Sequence, residues 1–272
     1  MKIYFTIIFT IIVSIYNLNA QASAKRSEAL KLMKDGELAK AIVLADAAVK
    51  EDESDAENWF ARGTVRLESN NAAGALEDFE KAESLKMSSV ELIIKKGIAL
   101  NNLGKHKEAI EELKKAEKQD AKNYEIPFNK VLAYEELEDN KNKLIELNKT
   151  IALKPDFVEA LNMRAELSYK NENYKLCIAD CDKIIELNPN SADAYFFRGV
   201  AKGATKSNTE AIADFTKTLE LNPKHDEALS YRGLAKYVSG NKKGACADWE
   251  KAIKLENPKA EEYYNTYCVS QD

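Results

Sequence analysis

Shifted against itself by 34 residues, the chain aligns without a gap through seven consecutive windows, which begin at Ala22, Ala56, Val90, Tyr124, Val158, Ala192 and Asp226. Numbering the positions of each window as slots 1 to 34, slot 8 reads Ala29, Gly63, Gly97, Val131, Ala165, Gly199 and Gly233. Slot 20 reads Ala41, Ala75, Ala109, Lys143, Cys177, Ala211 and Ala245, and slot 24 reads Ala45, Phe79, Leu113, Leu147, Cys181, Phe215 and Trp249. Small residues at slots 8 and 20 let two helices approach closely, and a larger apolar residue at slot 24 fills the space between them. Within each half-window apolar residues recur at three- and four-residue steps, the period of one helix face.

The punctuation agrees. Gly36, Gly104 and Gly240 share slot 15, where a first helix would end in a left-handed turn. Pro155, Pro189 and Pro223 share slot 32 and would stop the second helix, and Pro258 falls one place later. Helices are expected near slots 1–14 and 18–30 of each window. One hairpin cannot bury its apolar face alone, so neighbours must stack.

A helix–turn–helix period of this length with these slots resembles the tetratricopeptide repeat. The run Ala192 to Pro223 carries Tyr195, Gly199, Ala211, Phe215 and Pro223 in the family's places. The resemblance spans residues 22–259 and implies an all-α solenoid, a right-handed superhelix of seven hairpins. Its concave face would be lined by first helices and would bind another protein or a peptide segment. Residues 260–272, with Tyr263, Tyr264 and Tyr267, are expected to form a capping helix and tail over the last apolar face.

The chain departs from the family at slot 7, where a Leu is usual. Six windows carry a cation there: Arg62, Lys96, Lys130, Arg164, Arg198 and Arg232. The same six carry an acid at slot 23: Asp78, Glu112, Glu146, Asp180, Asp214 and Asp248. Window one has neither, so the two slots change together, which predicts a ladder of ion pairs between or within hairpins. A charged binding strip is the alternative. Window four, with Val131 and Lys143 in place of small residues, is expected to pack more loosely or to drift without consequence.

The groove implied by the family falls on slots 2, 5, 9, 12 and 13. Slot 5 supplies Phe60, Ile94, Phe128 and Phe196, slot 9 supplies Ile98, Leu132, Val200 and Leu234, and slot 12 supplies Leu67, Tyr169 and Tyr237. Phe60, Leu67, Ile94, Ile98, Phe128, Leu132, Phe196 and Val200 are the expected partner-binding residues, a contiguous apolar surface of the kind that marks interaction sites. Packing between neighbouring hairpins is the competing role. Acids fill slot 2 from the second window on, as the helix dipole favours. The Lys and Asn that grip a carboxylate in some family members are missing from slots 5 and 9, which argues against a chaperone-tail clamp.

No catalytic constellation emerges, and no cofactor, metal or small-molecule substrate is implied. His106 and His225 fall in turns without a neighbour at ligand spacing. With 45 acidic and 40 basic residues the chain lacks the basic excess of a nucleic-acid binder. Cys177 and Cys181 occupy core slots and are expected to be buried and reduced. Cys246 should face the cap helix that carries Cys268, and whether the two pair is left open.

The first twenty residues stand apart. Lys2 precedes an apolar run from Ile3 to Tyr16, and Ala20, Ala22 and Ala24 follow. This order reads as a secretory signal peptide over residues 1–20, with cleavage after Ala20 or Ala22. The run reaches only about 21 Å as a helix, short of the ~30 Å hydrocarbon core, although an uncleaved anchor stays open. The expectation is therefore a periplasmic or secreted scaffold, or else an accessory subunit of an envelope enzyme or a secretion or assembly complex. In either case the membrane is met only through the leader.

Overall fold

A left-handed residue ends the first helix of every hairpin. Slot 15 has positive φ in all seven windows, at Gly36, Asn70, Gly104, Glu138, Glu172, Lys206 and Gly240. Each turn closes with the same bond, the N–H of the next residue donating to the carbonyl five back, as in Glu37 to Leu32 at 2.8 Å and Ser207 to Lys202 at 2.9 Å. Glycine is the inexpensive choice at such a position. Where Asn, Glu or Lys stands instead, the closing bond and the packing of the two helices hold the turn.

The computed structural model describes residues 19–269. Fifteen helices appear among them, paired as hairpins. Residues 19–34 (α1) pair with α2 (Leu38–Glu51), α3 (Ala56–Glu68) with α4 (Ala72–Ser84), and α5 (Val90–Asn102) with α6 (His106–Gln119). Then come α7 (Glu125–Glu136) and α8 (Asn140–Leu153), α9 (Val158–Lys170) and α10 (Tyr174–Leu187), and α11 (Ala192–Ala204) and α12 (Asn208–Leu221). The last pair is α13 (Asp226–Val238) and α14 (Lys242–Ile253), followed by α15 (Pro258–Tyr267). No strand occurs among the described residues. The leader expected over residues 1–20 lies, up to residue 18, outside the described residues. Pro258 opens the cap helix at its first turn, where the missing N–H costs nothing, so the cap begins two residues before the expected Ala260.

The chain divides into two compact units, up to Glu146 and from Leu147 onward, with the division inside α8 of hairpin four. Among the described residues, apolar clusters in both units borrow from the next hairpin. Ala29, Ala41 and Ala45 of hairpin one pack with Val65 of hairpin two. Phe60 and Phe79 of hairpin two pack with Leu92 and Ala99 of hairpin three, and Leu113 of hairpin three packs with Ile126 of hairpin four. In the second unit, Cys177 and Cys181 pack with Ala201, and Phe215 packs with Ala228. Trp249 and Leu229 pack with Ala260 of the cap helix. This chain of loans is why a single window could not fold alone. Val131 and Leu147, at slots 8 and 24 of hairpin four, are both fully buried.

The slot 7 cations and slot 23 acids meet in all six hairpins. Arg62, Arg164, Arg198 and Arg232 reach Asp78, Asp180, Asp214 and Asp248 at 2.6, 2.6, 2.5 and 2.8 Å. Lys96 and Lys130 reach Glu112 and Glu146 at 3.3 Å each. The acids are buried, so each cation satisfies a carboxylate that would otherwise be stranded in the helix interface. The same cations reach back one hairpin, Arg62 to Asp46 and Arg198 to Asp182. The ladder therefore ties hairpins together and leaves few of these charges for a ligand.

Candidate protein-binding surface

The first helices touch one another in sequence within each unit, α3 with α5 and α5 with α7 in one, α9 with α11 and α13 with α11 and α15 in the other. Their slot 2 acids, Glu57, Glu91, Glu125, Glu159, Asp193 and Glu227, all lie exposed in the first turn, where the unpaired N–H groups favour negative charge.

The eight expected partner-binding residues divide into two groups. Phe60, Leu67, Ile94 and Val200 are buried, at 9%, 6%, 4% and 7% exposure. Phe60 lies against Phe79 with ring centroids 5.8 Å apart. These four serve mainly the packing between hairpins, Phe60 and Leu67 in a cluster with Leu92, Ile94 with Ile126, and Val200 with Ala228. Ile98, Phe128, Leu132 and Phe196 are half-buried, as are Leu234 and Tyr169. Phe196 sits in an aromatic group with Phe197, Phe215, Tyr231 and His225. The surface open to a partner is thus narrower than the eight residues together.

One feature of this face was not anticipated. Tyr169, Val200, Leu234 and Val238 surround a cavity of about 310 Å³ over Phe215 and Tyr231 of the second unit. Burial raises the Tyr169 phenol above its usual range, with the neighbouring Tyr231 adding to the shift. The signal lies in the slot 12 column, which reads Tyr169, Gly203, Tyr237 across the last three windows. Sequence reasoning weighed its large residues, whereas the gap between them is the informative entry point.

The remaining candidates fall to structural roles. Cys177 and Cys181 are free and buried. Their mutual hydrogen bond, reinforced by burial, pushes the Cys181 thiol up and holds it protonated. Cys246 and Cys268 form a disulfide with Cα atoms 5.8 Å apart, which resolves the question the sequence left open and fastens α15 to α14. His225 caps α13, its Nδ1 accepting from the Ala228 N–H, and His106 bonds Asn101 at 2.6 Å. Among the described residues no cluster of three or more His, Cys, Asp or Glu could hold a metal ion, and no helix is long and apolar enough to cross a membrane.

The repeat slots, the left-handed turns and the borrowed cores define an α-solenoid of stacked helical hairpins. Tetratricopeptide-repeat profiles match residues 26–89, 90–123, 158–191 and 192–225, and the chain belongs to that family. The last three spans coincide with windows three, five and six. PEX5-related protein of Homo sapiens is 27% identical over 82 residues, 30% of this chain, and the match spans only 13% of that relative. The C-terminal part of a TPR repeat-containing protein from Cytophaga hutchinsonii superposes with a TM-score of 0.74 at 19% identity, covering 87% of this chain and 98% of that one. YrrB, described as a TPR protein with an unusual peptide-binding site, superposes with a TM-score of 0.53 at 18% identity, covering 81% and 97%. At these identities the solved structures speak to the fold alone. Proteins of this family generally bind protein or peptide partners.

Proposed function

We propose that this chain is an exported, non-catalytic scaffold that binds a segment of another protein on the first-helix face of one or other of its units. The observation that carries the reading is the set of half-buried apolar residues on that face, Ile98, Phe128 and Leu132 in the first unit and Phe196 and Leu234 in the second. Apolar side chains kept partly in water on a rigid repeat frame are what a partner segment would cover. Exposed slot 2 acids near the same face would steer a partner carrying basic residues, acting on rate and salt dependence.

Two observations support export. One is the order of charge, apolar run and small residues in the first 24 positions. The other is the disulfide between Cys246 and Cys268, a bond that persists in oxidising compartments. Ala22 is buried, and Lys25 and Arg26 pair with Glu51 and Asp55, so cleavage after Ala20 retains all three of these residues. Mass spectrometry of protein from its native host should give an N-terminus at Gln21 and two free thiols after unfolding without reductant. An intact Met1 with four free thiols overturns the export reading.

Binding is tested by photo-crosslinking from the native host. A crosslinker at Ile98 or Phe128 should capture one discrete partner, and one at Val43 or Leu187, exposed on second helices, should not. Capture from the second-helix positions alone moves the site to the other face. Phe128→Ala should weaken capture with little change in melting temperature.

A further inference from the structure

We propose that the cavity beside Gly203 is an anchor subsite for one large apolar side chain, preferably aromatic, on a protein segment whose adjoining residue carries a carboxylate. The proposal rests on the reading of the first-helix face as a protein-binding surface and assigns that face its specificity element in the second unit.

The cavity exists because of composition. Tyr169 and Tyr237 fill slot 12 in the windows on either side, and Gly203 leaves the same place empty. A Cβ at Gly203 would meet only the Ala211 Cβ, at 3.9 Å. At Gly63, Gly97, Gly199 and Gly233 a Cβ would collide with the slot 24 side chain at 2.6, 2.8, 2.9 and 2.5 Å. Those four glycines are required by packing, whereas a Cβ at Gly203 would meet no such clash, and the glycine lines the cavity of about 310 Å³.

The walls specify the occupant. Rings of Tyr169, Phe215 and Tyr231 face the space together with Val200 and Leu234, and Phe215 and Tyr231 stack at 6.1 Å. At the rim Val238 leaves 62% of its surface in water. An aromatic side chain gains edge-to-face and stacked contacts in such a site beyond its area. The mouth also carries Lys206, exposed and without an acidic partner among the described residues. Other cations on these first helices are paired, among them Lys202 and Lys236 with Asp214 and Asp248 at 2.8 and 2.7 Å. The charge offered to an incoming ligand is therefore positive, and it complements a carboxylate next to the anchor.

The test uses the whole mature chain and an acetylated, amidated probe, Ser-Gly-Phe-Asp-Gly-Ser, followed by backbone-amide NMR. The probe should shift the amides of Ala204, Leu234 and Val238. Replacing its Phe by Ala should weaken binding about tenfold or more, and replacing its Asp by Asn about threefold at low salt. Gly203→Leu fills the cavity without a backbone clash and improves helix propensity. It should abolish binding while leaving the melting temperature unchanged or higher. Lys206→Asn, which tolerates the left-handed turn, should erase the difference between the Asp and Asn probes. Shifts located elsewhere, or equal binding by Gly203→Leu, overturn the subsite. A wild-type dimer in sedimentation that Gly203→Leu dissociates assigns the cavity to a second copy and also overturns it. Crosslinking from Ile98 and Phe128 reads the broader surface separately. Partner capture there with no probe binding at the cavity removes the subsite and leaves the surface, whereas loss of both removes both.

Discussion

Hairpins three and four build with Lys and Glu what hairpins six and seven build with Arg and Asp. In hairpin six, Arg198 holds both oxygens of Asp214, through Nε at 3.0 Å and Nη2 at 2.5 Å, and spends Nη1 on Asp182 of the preceding hairpin. In hairpin three, Lys96 has a single ammonium, which lies 2.7 Å from Glu83 of the preceding hairpin and 3.3 Å from Glu112 of its own. Lys130 repeats this with Glu117 and Glu146 at 2.7 and 3.3 Å. A long fork meets a short acid in one solution, and a shorter point charge meets a longer acid in the other. The fold fixes the sum of the two reaches and the pairing of signs, not the residues. The tighter contact moves from within the hairpin to between hairpins when the fork is lost.

The helix contact differs in parallel. Gly233 faces Trp249, whose indole N–H donates to the Ser230 carbonyl at 3.0 Å, while Gly97 faces Leu113. A methyl added at Gly233 would stand 2.5 Å from a ring that its hydrogen bond prevents from turning away. Leu113 can shift its branch at lower cost. Gly233→Ala should therefore destabilise by ~2–3 kcal/mol, and Gly97→Ala by ~1 kcal/mol, net of the helix-propensity gain. Chemical denaturation measures both. Equal losses would mean that the slot 24 side chain does not set the tolerance of slot 8.

A smaller effect tests the exchange of chemistries itself. Arg198→Lys should cost ~1–2 kcal/mol by removing the two-pronged bond, and Asp214→Glu a similar amount by overfilling a buried place. The double variant recreates the pair of hairpins three and four, so its loss should fall at least ~1 kcal/mol short of the sum. Strict additivity would show that each hairpin is committed to its own pair by neighbours other than the partner.

Much of this was legible in sequence because it is periodic. Slots 7 and 23 carry their cation and acid in the same six windows, so Arg198 was expected to meet Asp214 or a neighbouring hairpin's acid before any coordinates, and glycine at slot 8 goes with a large side chain at slot 24. What was not legible depends on depth. Phe60 and Phe128 share slot 5, yet Phe60 is buried against Phe79 while Phe128 is half-buried, and the slot number carries no measure of how much the next hairpin covers. The disulfide depended on where α15 folds back over α14, which the tyrosines of 263–267 suggested and only the structure fixed. Gly203 was visible as a letter, but a missing side chain becomes a cavity only once its neighbours are placed.

The smallest expected effect is the dependence on pH, and there Glu112 of hairpin three and Asp180 of hairpin five should differ in sign. Burial alone would raise the Glu112 carboxyl, but the hydrogen bond from Lys115 and the charge of Lys96 outweigh it and hold Glu112 below the usual glutamate range. A folded pKa below the unfolded one contributes stability that is present above the unfolded value and is lost as pH falls through the folded one. At Asp180 burial outweighs the hydrogen bonds and charge of Arg164 and lifts the carboxyl above the usual aspartate range. The folded chain then binds that proton more tightly than the unfolded chain does, so the contribution of Asp180 is greatest below the unfolded pKa and declines as pH rises through the folded one. Denaturation of wild type against Glu112→Gln and Asp180→Asn, followed from acid pH to neutrality, reads both. The wild-type advantage over Glu112→Gln should grow with pH across the glutamate range, and that over Asp180→Asn should shrink just above the aspartate range. Two curves of the same slope would show that Glu112 and Asp180 respond to protons alike, and that the difference between these two rungs ends at geometry.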